Sequence, residues 1–74
     1  MNYYINGNSA LAVKSAKEWM QINIYENSAE MVWQKADKEY AKDIISKFDY
    51  KICSKLDFEG IFNDANFIMK GYFL

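Results

Sequence analysis

The stretch that decides the fold is apolar and β-prone, and it reads Trp19-Met20-Gln21-Ile22-Asn23-Ile24-Tyr25-Glu26. Within it, two isoleucines alternate with polar side chains, which is the period of a strand with one face buried. The next residues, 26–28, are acidic, amide and hydroxyl side chains typical of a turn. The pattern therefore predicts a strand over residues 21–25 whose inward face carries Ile22 and Ile24.

The segment after this strand allows two interpretations. Apolar Ala29, Met31 and Trp33 fall at every second position, as expected for the return strand of a hairpin. Alternatively, Asn27 with Glu30 three residues later resembles a capping box that opens one helix over residues 28–48. Such a helix would be about 30 Å long, which is long for a chain of 74 residues. We therefore favour the hairpin, followed by a shorter helix over residues 36–48.

That second helix has a regular apolar face. Its apolar residues recur four apart, with two further members on the same face. They are Ala36, Tyr40, Ala41, Ile44, Ile45 and Phe48. Its outer side carries opposite charges at i, i+4 spacing, which is typical of a solvated helix face.

Before the central stretch, the sequence predicts a strand and a first helix. Residues 3–5 are β-prone, and Asn6-Gly7 is a strong turn signal because both residues tolerate positive φ. Residues 9–19 are expected to form a helix. The apolar residues that define its inner face are spaced by three and four, and they are Ala12, Val13, Ala16, Trp19 and Met20. Lys14 and Glu18 then form an i, i+4 pair on its outer side.

In the last third, alternation over residues 50–58 predicts a long strand, with Tyr50, Ile52, Leu56 and Phe58 on its inward face. Turns are expected at residues 59–60 and 63–66, with two apolar runs, 67–69 and 72–74, closing the chain as a strand or a partner surface. The expected fold is thus a single α+β domain over residues 1–74. It contains a small antiparallel sheet of three to five strands packed with two helices, at about 9–19 and 36–48.

Length and composition favour self-association. A chain of 74 residues buries only about 60% of its unfolded surface, so its core is marginal. Cys53 is the only cysteine, so no intrachain disulfide can compensate. Aromatic residues make up 18% of the chain and are the types enriched in interface cores. A homodimer is therefore expected.

Charge and hydropathy exclude other classes of partner. Nine lysines, no arginine and ten acidic residues give a net charge of −1, which argues against direct nucleic-acid binding. No apolar run approaches the length of a membrane span, and the first residues lack the pattern of a signal peptide. We expect a soluble protein in the cytoplasm of a bacterial host cell.

The residues offer little for catalysis or metal binding. Without histidine, Cys53 has no ordinary base to activate it, and the carboxylates form no recognisable acid/base pair. A metal is not expected with one thiol and no imidazole, and isolated glycines provide no phosphate loop. The sequence therefore predicts a non-enzymatic binding module without a cofactor.

One short motif indicates a partner. Gln21, Ile22, Asn23, Ile24 and Tyr25 resemble the pentapeptide with which bacterial replication proteins dock on the DNA polymerase sliding clamp. The motif occurs in a chain of this length that is rich in Lys, Asn, Ile and Tyr. In combination, these features resemble those of the small host-takeover proteins of Twort-like staphylococcal phages that inhibit the clamp. The motif departs from the usual pentapeptide at Asn23, Ile24 and Tyr25. The resemblance implies that the chain binds the host clamp and stops DNA replication.

Two routes to the clamp remain open from the sequence. In the groove route, Gln21, Ile22, Ile24 and Tyr25 enter an apolar groove, with Ile24 and Tyr25 as anchors. In the acidic-face route, carboxylates compete with DNA for a basic channel. They are Glu26, Glu30, Asp37, Glu39 and Asp43, with Asp57 and Glu59 as further members. The alternatives to a clamp inhibitor are another phage anti-defence inhibitor of the anti-CRISPR kind and a small self-assembling structural phage protein.

Overall fold

The computed structural model describes residues 1–71, which form five strands and two helices. In chain order they are β1 (Asn2–Asn6), β2 (Ser9–Ser15), β3 (Glu18–Ile24), β4 (Ala29–Lys35), α1 (Ala41–Lys47), β5 (Lys51–Cys53) and α2 (Lys55–Met69). The strands form one antiparallel sheet in the order β4-β3-β2-β1-β5. The predicted α+β class is confirmed, as are the first strand, the central strand and the hairpin that follows it.

Short turns join the first four strands into a meander. Gly7 lies between β1 and β2 with φ of 56°, a left-handed conformation in which glycine avoids a Cβ clash. Tyr25 N–H donates to the carbonyl of Ser28 over 2.7 Å and closes the turn between β3 and β4. The turns that the sequence predicted at residues 6–7 and 26–28 are therefore confirmed.

Helix α2 packs on one face of the sheet, called here the α2 face. Buried Ala10, Ala12 and Ile22 of the strands meet Phe58 and Ala65 of the helix. The Phe58 ring lies 5.0 Å from the ring of Tyr3, measured between centroids. The small alanines on β2 let the helix approach the sheet closely.

Helix α1 packs on the opposite face, called here the α1 face. Leu11 and Trp19 of the sheet are buried there with Ala41 of α1 and Tyr50. The carbonyl of Ala16, in the turn between β2 and β3, accepts the backbone N–H of both Tyr40 and Ala41 at 3.0 Å. This turn therefore fixes the start of α1 as the chain crosses from the β4 edge to the β5 edge.

The predicted helix over residues 9–19 is wrong, because this segment forms β2, a turn and the start of β3. Ala10, Leu11 and Ala12 are all buried, since helices cover both faces of β2. A strand buried on both faces shows a continuous apolar run instead of alternation, and such a run also fits a helix. The Lys14–Glu18 pair does form, at 3.9 Å, but across a strand connection.

The predicted helix over residues 36–48 is shorter than expected. It spans Ala41–Lys47, because the backbone N–H groups of Ala36 and Tyr40 donate to the turn at residues 16–17. Ala41 is buried, with Ile44 and Ile45 packed beside it, as the apolar face predicted. Ala36 also packs against this cluster, although it precedes the helix. Tyr40 and Phe48 are exposed, so these two members of the predicted face are wrong.

The predicted strand over residues 50–58 is also wrong beyond Cys53. Ser54 ends the short β5 and caps α2, its hydroxyl accepting the N–H of Asp57 at 3.1 Å. Ile52 and Leu56, expected to face inward, are 73% and 78% exposed. The turns predicted at 59–60 and 63–66 lie instead within α2, as does the apolar run 67–69. The strand that was one of the two expectations for this run is therefore wrong.

The predicted closing run at residues 72–74 lies outside the described part of the chain. Neither helix among residues 1–71 has the length and apolar character needed to cross a bilayer.

Candidate functional site

The motif of Gln21, Ile22, Ile24 and Tyr25 lies on and just beyond the central strand β3. Gln21 is paired with Leu11 on β2 and with Val32 on β4, and Ile22 is paired with Ala10 and Met31. The backbone of this segment is therefore paired with a strand on each side. It is not an extended peptide free to enter a groove.

The side chains of the motif point in different directions. Ile22 is 0% exposed and Ile24 packs beside it in the cluster under α2. Gln21 shares the α1 face with its partner Leu11. Tyr25 follows the strand and is 54% exposed. The four residues thus do not form one contact surface in this fold.

A row of polar side chains crosses the α1 face at the end of the sheet nearest Tyr25. Ser9 Oγ donates to Asn23 Oδ1 at 2.7 Å, and Asn23 Nδ2 donates to Glu30 Oε1 at 3.0 Å. The Tyr25 hydroxyl donates to the same Glu30 oxygen at 3.0 Å. This hydrogen bond to the carboxylate raises the pKa of Tyr25, with smaller contributions from desolvation and from the charge of Glu30. Glu30 is thus held in place by two neutral donors.

A polar cavity of about 210 Å³ lies beside this row, and the sequence did not predict it. It is lined by Asn6, Ser9, Gln21, Asn23, Phe48 and Tyr50. Asn6 Nδ2 donates to the carbonyl of Phe48 at 2.7 Å, which ties the end of α1 to β1. Burial raises the pKa of Tyr50, and a hydrogen bond with Ser9 partly offsets the shift. The lining provides neutral hydrogen-bonding groups without a carboxylate or an ammonium.

A second, apolar cavity of about 250 Å³ lies between the first half of α2 and the α2 face. Ala12 belongs to its lining, and Met20 and Trp33 come from the same cross-strand row. Lys55 and Glu59 are the charged side chains of its lining. Because the remaining lining is aromatic or aliphatic, this cavity suits apolar contact.

Five of the predicted acidic residues fall into two groups, while Asp57 and Glu59 lie in α2. Glu26 and Glu30 lie at the turn between β3 and β4 and at the start of β4. Asp37 and Glu39 follow the other end of β4, and Asp43 is in the first turn of α1. Strand β4 separates the groups by about 20 Å, since a strand rises about 3.4 Å per residue. All five side chains belong to exposed residues.

The described residues show no grouping suited to metal binding. No set of three or more Cys, Asp or Glu side chains in residues 1–71 is placed to hold an ion. Burial raises the pKa of the Cys53 thiol, and the charge of Asp57 raises it further. A raised pKa lowers the thiolate fraction at neutral pH, and the thiolate is the reactive form of cysteine.

The edges of the sheet are features that the sequence alone did not assign. Val32 and Trp33, on the outer strand β4, are 39% and 42% exposed. Trp33 Nε1 donates to Glu18 Oε2 at 2.9 Å, which orients its ring. The alternation that predicted β4 gave its faces, but it carried no signal that β4 would lie at an edge.

Comparison with known proteins gave no match: no family model, no curated protein and no solved structure is similar to this chain.

Proposed function

We propose that this chain is a non-enzymatic phage inhibitor that binds the host DNA sliding clamp as a homodimer and blocks its loading on, or sliding along, DNA. The partner comes from the resemblance of residues 21–25 to the clamp-docking pentapeptide. The proposal requires no catalytic step. Inhibition follows from occupying a surface that DNA or the clamp loader would otherwise use.

The pairing of β3 on both sides is the observation that supports the acidic-face route over the groove route. Inserting residues 21–25 into a groove would require β3 to leave β2 and β4 and Ile22 to leave the core. Deleting a buried isoleucine side chain alone typically costs about 2–5 kcal/mol, before any ladder hydrogen bonds are lost. The acidic-face route needs no such rearrangement, and we therefore adopt it.

In this route the two exposed acidic groups face a basic, DNA-binding channel. Glu26 and Glu30 form the first group, and Asp37, Glu39 and Asp43 form the second. A single chain has a net charge of only −1, so the local arrangement of carboxylates must carry the attraction. A homodimer presents each group twice, which strengthens competition with DNA.

Clamp binding can be measured by calorimetry with purified staphylococcal clamp, over a range of salt concentrations. We expect binding that weakens as salt rises, because the attracting charges are exposed. Neutralising one group with Asp37→Asn, Glu39→Gln and Asp43→Asn should weaken binding and flatten the salt dependence. As the matched control, Lys38→Gln with Lys42→Gln removes charges of opposite sign from the same segment and should leave binding unchanged or stronger.

The double variant Gln21→Ala, Tyr25→Ala separates the routes. Both side chains are at least partly exposed, so the variant is expected to fold, which circular dichroism can check. Unchanged clamp affinity supports the acidic-face route. Lost affinity in a folded variant would support the groove route instead, and no binding by the unaltered protein at micromolar concentration would refute the clamp as partner.

A further inference from the structure

The geometry points to β4 as the homodimer interface: we propose that two copies pair their β4 strands antiparallel about Val32, joining two sheets into one. The inference gives the geometry of the dimer and rests on the proposed function for the role of that dimer. The contacts that carry it belong to this chain alone, so it can be tested without the clamp.

The two edges of the sheet differ in how they are protected. Strand β5 has three residues, carries Lys51 paired with Asp49 at 2.9 Å, and is followed after one residue by α2. Short length and charge are the usual means by which proteins protect an edge. Strand β4 has seven residues and pairs with β3 without any register shift. Its middle is Met31-Val32-Trp33, with no charge, proline or bulge to prevent pairing.

The sequence of β4 is nearly symmetric about Val32. Three apolar residues occupy the middle, Glu30 and Gln34 flank them, and the next positions are Ala29 and Lys35. An interface between identical strands related by a two-fold axis must be complementary to itself. The order polar, apolar, apolar, apolar, polar reads the same from both ends, which favours a second copy as the occupant of this edge.

Side-chain faces and polarity fix the register. In an antiparallel pair, directly opposite residues share a face, so only registers that keep the α1 and α2 faces aligned are possible. Pairing about Val32 sets Val32 against Val32 of the second copy, on the α1 face. It also sets Met31 against Trp33, on the α2 face, and does so twice. Moving the centre to Trp33 would instead set Lys35 against Met31.

Charge and the alignment of the two faces favour the antiparallel direction over the parallel one. With β4 antiparallel about Val32, Glu30 meets Gln34 of the second copy, and Lys35 meets Ala29. No like charges are directly opposed. Pairing the same two edges in parallel would need a two-fold axis along the strands. This axis turns one copy over and sets its α2 face beside the α1 face of the other, so the faces would no longer match.

Cross-linking tests the register. Opposite residues in an antiparallel pair have Cα atoms about 4.5–5.5 Å apart, within the range a disulfide spans. In a Cys53→Ser background, Val32→Cys should give a disulfide-linked dimer on mild oxidation. Gln34→Cys in the same background is the control, since two copies of residue 34 lie about 13 Å apart in this register. Mixing the Gln34→Cys and Glu30→Cys proteins should restore the link.

Solution mass tests the interface in the chain that retains Cys53. Light scattering should give twice the 8.7 kDa of one chain, and Val32→Lys should give the single-chain mass because two ammonium groups would meet. Mixing the Val32→Lys and Val32→Glu proteins should restore the dimer.

A single-chain mass for the unaltered protein would refute the inference, as would a dimer that Val32→Lys leaves intact. Cross-linking through Gln34→Cys alone would refute the register. A monomer that binds the clamp would overturn this inference but not the proposed partner. A β4-linked dimer that does not bind the clamp would overturn the proposed partner but not this inference.

Discussion

At the scale of single residues, Ile22 shows how a side chain that fits a docking motif can belong to the core. It lies in β3, between Ala10 and Met31 on the neighbouring strands, and is 0% exposed beneath α2. Tyr25, three positions later, lies past the strand and hydrogen-bonds Glu30. Both residues belong to the docking motif, but the fold buries the side chain of Ile22 and exposes that of Tyr25.

Ile22→Ala should lower the free energy of unfolding by about 2–5 kcal/mol, because it removes buried methylene and methyl groups from a packed site. Ile22→Val should cost about 0.5–1.5 kcal/mol. Urea unfolding followed by far-ultraviolet circular dichroism measures both. Tyr25→Ala, at an exposed position of the same segment, is the control and should cost less than Ile22→Ala. Equal costs at the two positions would contradict the buried placement of Ile22.

At the scale of elements, the start of α2 is set by a helix cap, in a segment whose apolar alternation predicts a strand. Apolar alternation continues from Ile52 to Phe58, yet the chain turns into a helix after Ser54. Ser54 has extended backbone angles, and its hydroxyl accepts the N–H of Asp57. Asp57 also places a negative charge in the first turn, where the helix dipole favours it. Phe58, Phe62 and Ala65 then follow helical spacing toward the sheet.

Ser54→Ala should destabilise the protein by about 1 kcal/mol through loss of this cap. Ser46→Ala is a matched control, because Ser46 is an exposed residue inside α1 where alanine is the better helix former. Chemical denaturation of both variants gives the comparison. If Ser54→Ala were as stable as the unaltered protein, the hydroxyl would not be capping α2 in solution.

At the scale of the whole molecule, the sheet separates two small cores. The α2 face buries Ile22 and Phe58, and the α1 face buries Leu11 and Trp19. The Trp19 indole N–H is buried without a hydrogen-bond partner in the described residues. Helix α2 has fifteen residues against seven in α1, and it contributes Phe58 and Ala65 to its core. Docking of α2 is therefore expected to be the larger source of stability.

Phe58→Ala should cost about 3–5 kcal/mol, because its ring joins α2 to Tyr3 and to the buried alanines of β2. Leu56→Ala, two positions earlier on the same helix, changes a side chain that is 78% exposed and should shift stability by less than about 0.5 kcal/mol. Thermal unfolding of the two variants provides the test. A small loss for Phe58→Ala would show that α2 contributes little to holding the sheet.

The sequence by itself determined the α+β class, the first strand, the hairpin of β3 and β4, and the buried side of α1. Each of these features has a recognisable local sequence pattern on one face or in one turn. Contacts with distant residues did not change the structure that this pattern predicts. It did not determine β2, because helices on both faces erase alternation in a central strand. It also did not determine α2, where the Ser54 cap and the packing of Phe58 and Ala65 on the sheet outweigh an apparent strand period.

Only the tertiary structure decided which strands lie at the centre and which at the edges. Strand order depends on contacts between distant residues, such as the pairing of β1 with β5, and no local pattern encodes them. Within residues 1–71, that order places residues 21–24 between two partner strands and leaves β4 with one. The motif that indicates a partner is thus held inside the sheet, and the surface open to pairing lies on the strand beside it.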